Sequence, residues 1–447
     1  YLGNKKSPWY LVAFGMIGAS LSGVTFISVP GEVGTSSFTY LQMVFGFVAG
    51  YLVVAQVLLP IYYRMNLVSI YTYLLERFGK AGYKTGSIFF LLSRSIGAAF
   101  RLFLVALVLH KFVLAPWNVP FWLSVAFTIA FIYLYSFKSG IKTIVYTDTL
   151  QTAFLLVAAI GTVVFICNQM NWDFNEMAST VSNSSYGKVF EWDFAKGNSF
   201  YKHFISGMFI TICMTGLDQD MMQKNLTCKS LKDAKKNMFW FSAVLIPVNL
   251  LFLGLGALLY IYASQNGIDI PVKADDLYPM IALNHLSIFA GVVFLLGIIA
   301  AAYSSADSAL TALTTAFCVD FLSFDKREEA DRKRIRLRVH LGFSVLLFII
   351  VLIFRAISDD SVITLIFRAA GYTYGPLLGL FAFGILTKRS IKDQYAWAVA
   401  LLSITLSFII TSLPESIIGA YKFHWEILPL NGLITFIGLI LISRKQN

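Results

Sequence analysis

Apolar stretches of membrane-spanning length constrain this chain more than any other feature. They fall near residues 9–28, 38–62, 84–113, 119–137, 143–167, 202–221, 238–263, 287–321, 338–357, 361–386, 394–413 and 428–443. A helix of about 20 residues crosses the hydrocarbon core of a bilayer. In lipid each backbone polar group must find its partner inside the protein, so stretches of this kind fold as helices. The chain is 57% hydrophobic and 13% charged, whereas soluble domains are roughly 25% charged. The expectation is an all-α polytopic membrane protein.

The net charge of +11 does not point to nucleic acid, because the basic residues lie in alternate loops between the apolar stretches. Lys224, Lys229, Lys232, Lys235 and Lys236 share one loop; Lys388, Arg389 and Lys392 share another. The basic run at 332–338 is read as a solvated turn of helix. This positive-inside pattern places the start and the C-terminus in the cytoplasm of a multi-pass plasma (inner) membrane protein. Segments 168–200 and 264–286 then lie outside, with a short helix expected at 275–284. Asn4-Lys5-Lys6 reads as a cytoplasmic loop, which implies a further span before it. Cys167, Cys213, Cys228 and Cys318 have no paired or metal-like spacing. Gly79-Lys80 and Gly187-Lys188 are followed by Ala81 and Val189, so no phosphate-binding loop is present to drive pumping with ATP. The reading is a transporter and not an enzyme.

Oxygens concentrate where an apolar helix does not need them. Ala301, Ser304, Ser305 and Ser308 fall at i, i+3, i+4 and i+7, one helical face, with Asp307 beside it. Asp148 stands in another apolar run. A carboxylate at bilayer depth costs at least ~2.5 kcal/mol on insertion scales, which marks it as paired or functional. Hydroxyls, carbonyls and carboxylates are the ligands of hard cations, and Na+ is the first candidate. Alternatives are back-bonding of Ser304 and Ser305 to helical carbonyls and a structural polar contact for Asp148.

Two spans look interrupted. The first carries Gly18-Ala19-Ser20-Leu21-Ser22-Gly23, and the sixth carries Thr211, Thr215 and Gly216-Leu217-Asp218-Gln219. Breaks at matching positions point to two inverted repeats around a central site, although Gly and Ser also serve close helix packing. The broken part of span one offers the carbonyls of Gly18 and Leu21. The eighth span offers the Ala301 carbonyl and the hydroxyls of Ser304 and Ser305. Five neutral oxygens suit a monovalent cation. A second site is expected from Asp148, Ser304, Asp307 and Ser308, so one or two Na+ ions are coupled. No organic cofactor is expected.

Tyr146-Thr147-Asp148-Thr149-Leu150-Gln151-Thr152 resembles the fifth-span signature of the sodium/solute symporter family, whose members include sodium/glucose and sialic-acid transporters. Ser28-Val29-Pro30-Gly31-Glu32, Leu59-Pro60-Ile61-Tyr62, Tyr71-Thr72-Tyr73-Leu74, Asp218-Gln219 with Gln223-Lys224, and Tyr372-Thr373-Tyr374-Gly375-Pro376 extend the resemblance along the chain. It implies a LeuT-type fold with two inverted five-helix repeats plus extra C-terminal helices, forming one transporter domain over 1–447. The repeats fall at 9–167 (spans one to five) and 202–386 (spans six to ten), with two additional spans in 394–443. It also implies that the family's shared sodium site maps onto Gly18, Leu21, Ala301, Ser304 and Ser305, and the extra site of some members onto Asp148, Ser304 and Ser308. Asp307 departs from the pattern, since the family usually has a hydroxyl there.

For the solute, Ser22, Thr25, Tyr40, Gln42, Thr211, Met214 and Thr215 are expected to face a central cavity. Arg101 stands near where sialic-acid members place a carboxylate-binding arginine, and Arg368 near a sugar-binding glutamine of the sugar members. A guanidinium pairs bidentately with carboxylates. The expected function is therefore Na+-coupled secondary active import, by alternating access, of a small carboxylate-bearing solute of the sialic-acid, sugar-acid or monocarboxylate type. The other readings are a Na+/sugar or polyol symporter and, from other classes, a sodium-responsive sensor or an intramembrane protease. Expected partners are the solute, sodium and lipid, with no nucleic acid, and the protein is expected to act as a monomer.

Overall fold

The computed structural model describes residues 7–136, 141–322, 328–357, 361–419, 421 and 423–444. Asn4, Lys5 and Lys6 of the expected topology lie outside these residues. The chain is helical nearly throughout: α1 (Trp9–Ser20), α2 (Gly23–Ser36), α3 (Tyr40–Val53), α4 (Lys80–Leu109), α5 (Phe121–Ser136), α6 (Ile141–Met170), α7 (Phe200–Thr211), α8 (Gln219–Asn225), α9 (Leu231–Gln265), α10 (Ile288–Leu322), α11 (Glu329–Ile357), α12 (Val362–Leu386), α13 (Ala396–Thr411) and α14 (Ile427–Leu441). Among the described residues, eight helical segments are long and apolar enough to cross a membrane. The expected spans at 9–28 and 202–221 are interrupted; those at 119–137 and 428–443 form shorter apolar helices.

Outward faces of these helices carry large apolar side chains. Phe127, Phe131 and Leu134 on α5 and Leu150, Phe154 and Val157 on α6 are each about half exposed or more. Rows of this kind would aggregate in water and suit lipid. With no hydrophobic drive between helices in a bilayer, contact depends on close backbone approach. A Cβ added to Gly46 would lie 2.2 Å from the Phe204 carbonyl oxygen, and one on Gly207 would lie 2.3 Å from that of Met43. These two glycines let α3 and α7 meet backbone to backbone.

The segments between spans follow their local chemistry. Asp173 accepts from the Glu176 N–H at 2.7 Å, and Glu176 accepts from the Asp173 N–H at 3.0 Å. This reciprocal cap starts the helix Phe174–Asn183. The expected short helix at 275–284 appears as consecutive helical turns over 274–285. The basic run at 332–338 begins α11. The four cysteines are unpaired.

Candidate functional site

Both interruptions expected from the sequence are present. Helix α1 ends at Ser20, Leu21 turns out of helical geometry (φ −79°, ψ 86°), and α2 restarts at Gly23. The Ser22 N–H donates to the Ser20 carbonyl at 3.1 Å, and the next backbone bond beyond it runs from Phe26 to Ser22. Among the described residues, the carbonyls of Gly18 and Leu21 are left without the donor four residues on that a continuous helix supplies. The second break lies at Leu217–Asp218, between a wide helical turn over 212–216 and α8.

The freed groups of this second break are met by side chains from other spans. The Tyr62 hydroxyl donates to the Gly216 carbonyl at 2.8 Å, and the Tyr71 hydroxyl donates to that of Leu217 at 2.9 Å. Asp218 caps α8 by accepting from Asp220 and Met221, and Tyr374 donates to its other oxygen at 2.6 Å. Gln219 accepts from the Ile70 N–H and donates to the Val68 carbonyl. Several of the motifs that carry the family resemblance thus have a physical purpose: they satisfy a broken helix inside the membrane.

Between the two breaks lies a cavity. The expected residues Ser22, Thr25, Tyr40, Arg101, Thr211, Met214 and Thr215 all contribute to its wall. Tyr51, Asn249 and Arg94 also line it and were missed from the sequence. Tyr51 of α3 lines the cavity together with Ser20, Thr211 and Thr215, which belong to the two breaks. Two expected residues lie elsewhere. Gln42 is buried and fixes the 190s loop: its amide donates to the Thr39 and Asn198 carbonyls, and its oxygen accepts from the Glu191 N–H. Arg368 is exposed on α12 and is not part of the cavity wall.

Arg94 and Arg101 stand seven residues apart on one face of α4. Arg94 is bonded to Asp220 and lies 3.8 Å from Asp218. Its charge is therefore spent within the protein. Arg101 reaches the same cavity, yet among the described residues it makes no hydrogen bond or ion pair. The charged wall holds one guanidinium bonded to Asp220 and one whose donors, among the described residues, are not taken up by hydrogen bonds.

Of the expected cation residues, Ser304 and Ser308 meet at Asp148. Its Oδ1 accepts from Ser304 at 2.9 Å and its Oδ2 from Ser308 at 3.3 Å, linking α6 to α10. Helix α1 joins them, since a Cβ on Gly18 would sit 1.9 Å from Thr152 Oγ1 and 3.0 Å from the Asp148 carbonyl oxygen. Only glycine permits this approach. Ala301, Ser304 and Ser305 are buried on α10, and Ser305 Oγ is a buried hydroxyl with no hydrogen-bond partner among the described residues. A buried orphan hydroxyl is costly unless a ligand completes it. This hydroxyl and the released carbonyls of α1 are oxygens of the kind a hard cation takes as ligands.

The second expected site differs from the expectation. Asp148, Ser304 and Ser308 come together, but the ammonium of Lys224 is seated among them, 2.7 Å from Asp148 Oδ2 and 2.9 Å from Ser308 Oγ. Read as a cytoplasmic loop charge, Lys224 is instead at the end of α8 with its side chain 1% exposed. Helix α8 continues span six past its break, which draws the lysine into the bundle. Asp307 accepts from the Ser308 N–H at 2.5 Å through Oδ1, and its buried Oδ2 accepts no hydrogen bond among the described residues.

Comparison with known proteins accords with this arrangement. The sequence model of the "Sodium:solute symporter family" matches residues 1–399. The chain is 25% identical over 393 residues to the sodium/sialic acid symporter NanT of Aliivibrio fischeri, covering 86% of this chain and 77% of NanT. It is 26% identical over 415 residues to the human sodium-coupled monocarboxylate transporter 1, covering 86% of this chain and 63% of that protein. Its fold resembles that of a Na+-coupled sialic acid symporter solved in a substrate-bound outward-open state, with a TM-score of 0.83 at 19% identity over 100% of this chain and 93% of that one. A closed structure of the nucleobase-cation-symport transporter Mhp1 aligns with a TM-score of 0.62 at 15% identity, over 97% of this chain and 91% of Mhp1. The fold is the LeuT type, and the chain belongs to the sodium:solute symporter family.

Proposed function

We propose that this protein is a Na+-coupled secondary active symporter that imports a small solute bearing a carboxylate. The observation that carries the substrate class is Arg101, a guanidinium on the cavity wall that forms no ion pair or hydrogen bond among the described residues. In a low-dielectric cavity an unpaired charge is costly, and an anionic ligand relieves that cost. A neutral sugar or polyol would bond to the hydroxyls of Ser22, Thr25, Thr211 and Thr215 but leave Arg101 uncompensated. The names of the relatives, which speak of sialic acid and monocarboxylates, agree with the anionic reading.

The coupling ion is held by the carbonyls of Gly18, Leu21 and Ala301 and the hydroxyls of Ser304 and Ser305. It joins the broken first span to α10. Solute contacts the same first span through Ser22 and Thr25, so each ligand orders a segment the other needs, and their binding is mutually favourable. With both bound, the broken spans move against α6 and α10 and open the cavity toward the cytoplasm, where the C-terminus lies. The protein acts as a monomer in the inner membrane.

A thermal-shift screen of purified protein tests the reading, with N-acetylneuraminate, lactate, glucuronate, glucose and sorbitol each added in Na+ or in choline. Ligands that bind the native state raise its stability by mass action. The expected result is stabilisation by a carboxylate in Na+ and little in choline. A response to the neutral compounds alone would overturn the anionic reading.

A further inference from the structure

We propose that Lys224 is a tethered cation that occupies the second ion position of this transporter, so that one Na+, and not two, binds per cycle. The inference rests on the symport reading and defines its stoichiometry.

The residues that would supply a second Na+ site are in place. Asp148 offers two carboxylate oxygens, and the hydroxyls of Ser304 and Ser308 point to it from α10. What stands among them is the Lys224 ammonium, which donates to both Asp148 Oδ2 and Ser308 Oγ. Its nearest other acid is Asp220, at 3.8 Å on the same helix. Lysine and Asp148 are 1% and 0% exposed, so water does not dilute the pair. An ammonium presents three donors and no acceptor; a Na+ ion would need the same lone pairs of Asp148 and Ser308 that these donors already use. The lysine also reaches across elements as a bound ion would, joining the broken sixth span to α6 and α10. Unlike an ion, it cannot leave when the cavity opens.

The first cation position lacks such an occupant. Among the described residues, Ser305 Oγ remains unpartnered and the Gly18 and Leu21 carbonyls lack helical donors. The two positions share Ser304, whose hydroxyl hydrogen is directed at Asp148. Its lone pairs stay available to the first.

Equilibrium binding of radioactive 22Na+ to the purified full-length chain counts the ions without requiring a solute. The wild type is expected to bind one Na+ per chain, with a Hill coefficient near one. Lys224→Ala vacates the position and leaves Asp148 without its counterion, so it is expected to bind a second Na+ and to become more Na+-dependent in thermal stability than the wild type. The Lys224→Ala/Asp148→Asn double variant removes both the occupant and its anionic ligand, and is expected to return to one ion. Two ions bound to the wild type would overturn the proposal, as would a single ion in folded Lys224→Ala. If Lys224→Ala does not fold, the wild-type count and the double variant decide. No saturable Na+ binding to the wild type would remove the symport reading itself, and this inference with it.

Discussion

Lys224 and Asp148 form an ion pair of 2.7 Å in the interior of the bundle, between the continuation of the broken sixth span and the fifth span. Removing one partner of a buried pair strands the other, at a typical cost of about 3–5 kcal/mol. In choline buffer, Asp148→Asn is therefore expected to lower thermal stability strongly. The double variant that also replaces Lys224 with Met should recover much of the loss. Melting curves on the purified variants check this; additive losses would show that the pair is not an energetic unit.

Ser305→Ala removes a buried hydroxyl with no hydrogen-bond partner among the described residues. If that hydroxyl serves Na+, fold stability without Na+ stays near the wild-type value. The Na+ concentration for half-maximal uptake should rise roughly tenfold or more, as expected for the loss of one charge-assisted contact of about 1.5–3 kcal/mol. An unchanged Na+ dependence would remove Ser305 from the site.

Tyr62→Phe leaves the Gly216 carbonyl without the hydroxyl that now donates to it at 2.8 Å. A buried acceptor left unsatisfied costs about 1–3 kcal/mol. The same change at Tyr71 exposes the Leu217 carbonyl to the same loss. Both variants are expected to melt earlier while keeping their preference among solutes, because neither tyrosine lines the cavity.

The loop that Gln42 pins carries its own charge cluster. Glu191 accepts from Lys188 and Lys196, each at 2.8 Å. These two lysines hold its carboxyl down at about 2, against about 4.3 for a free glutamate. A depressed folded value contributes order that is fully present above the unfolded value and is lost as pH falls through the folded one. Protection of residues 188–196 from hydrogen exchange, compared between wild type and Glu191→Gln, should coincide near pH 2 and diverge in favour of wild type as pH rises past 4. The difference should shrink in high salt, since the lysines are about half exposed. No divergence at neutral pH and low salt would show that the lysines do not order the loop.

Much of this fold and site could be read from the residues in order. Apolar stretches located the spans, and small polar residues at 18–23 and 215–219 located both breaks, because backbone that leaves the helix inside a membrane has few permitted places. The face of Ser304, Ser305 and Ser308 follows from helical spacing alone. Lys224 was not legible. A lysine after a polar cluster at the end of a span has the sequence character of a loop charge, and only the tertiary path of α8 carries it to Asp148. Gln42 and Arg368 failed for a related reason: their positions along a span are readable, but the rotation of each helix about its axis is set by its neighbours. That Arg94 and not Arg101 makes the direct bond to Asp220 likewise depends on where α8 lies against α4.

Arg101 offers the most direct test of the account. Purified wild-type, Arg101→Ala and Arg101→Lys proteins, reconstituted in liposomes, would be assayed for Na+-driven uptake of labelled carboxylates such as N-acetylneuraminate and lactate, with neutral sugars in parallel. Truncating one member of a buried charge pair typically costs at least about 2 kcal/mol, more than an order of magnitude in affinity. The account predicts Na+-dependent uptake of at least one carboxylate by the wild type, a loss of more than tenfold in Arg101→Ala, and a partial return in Arg101→Lys. Undiminished carboxylate uptake by Arg101→Ala, or Na+-driven uptake of a neutral sugar with no carboxylate carried, would contradict it.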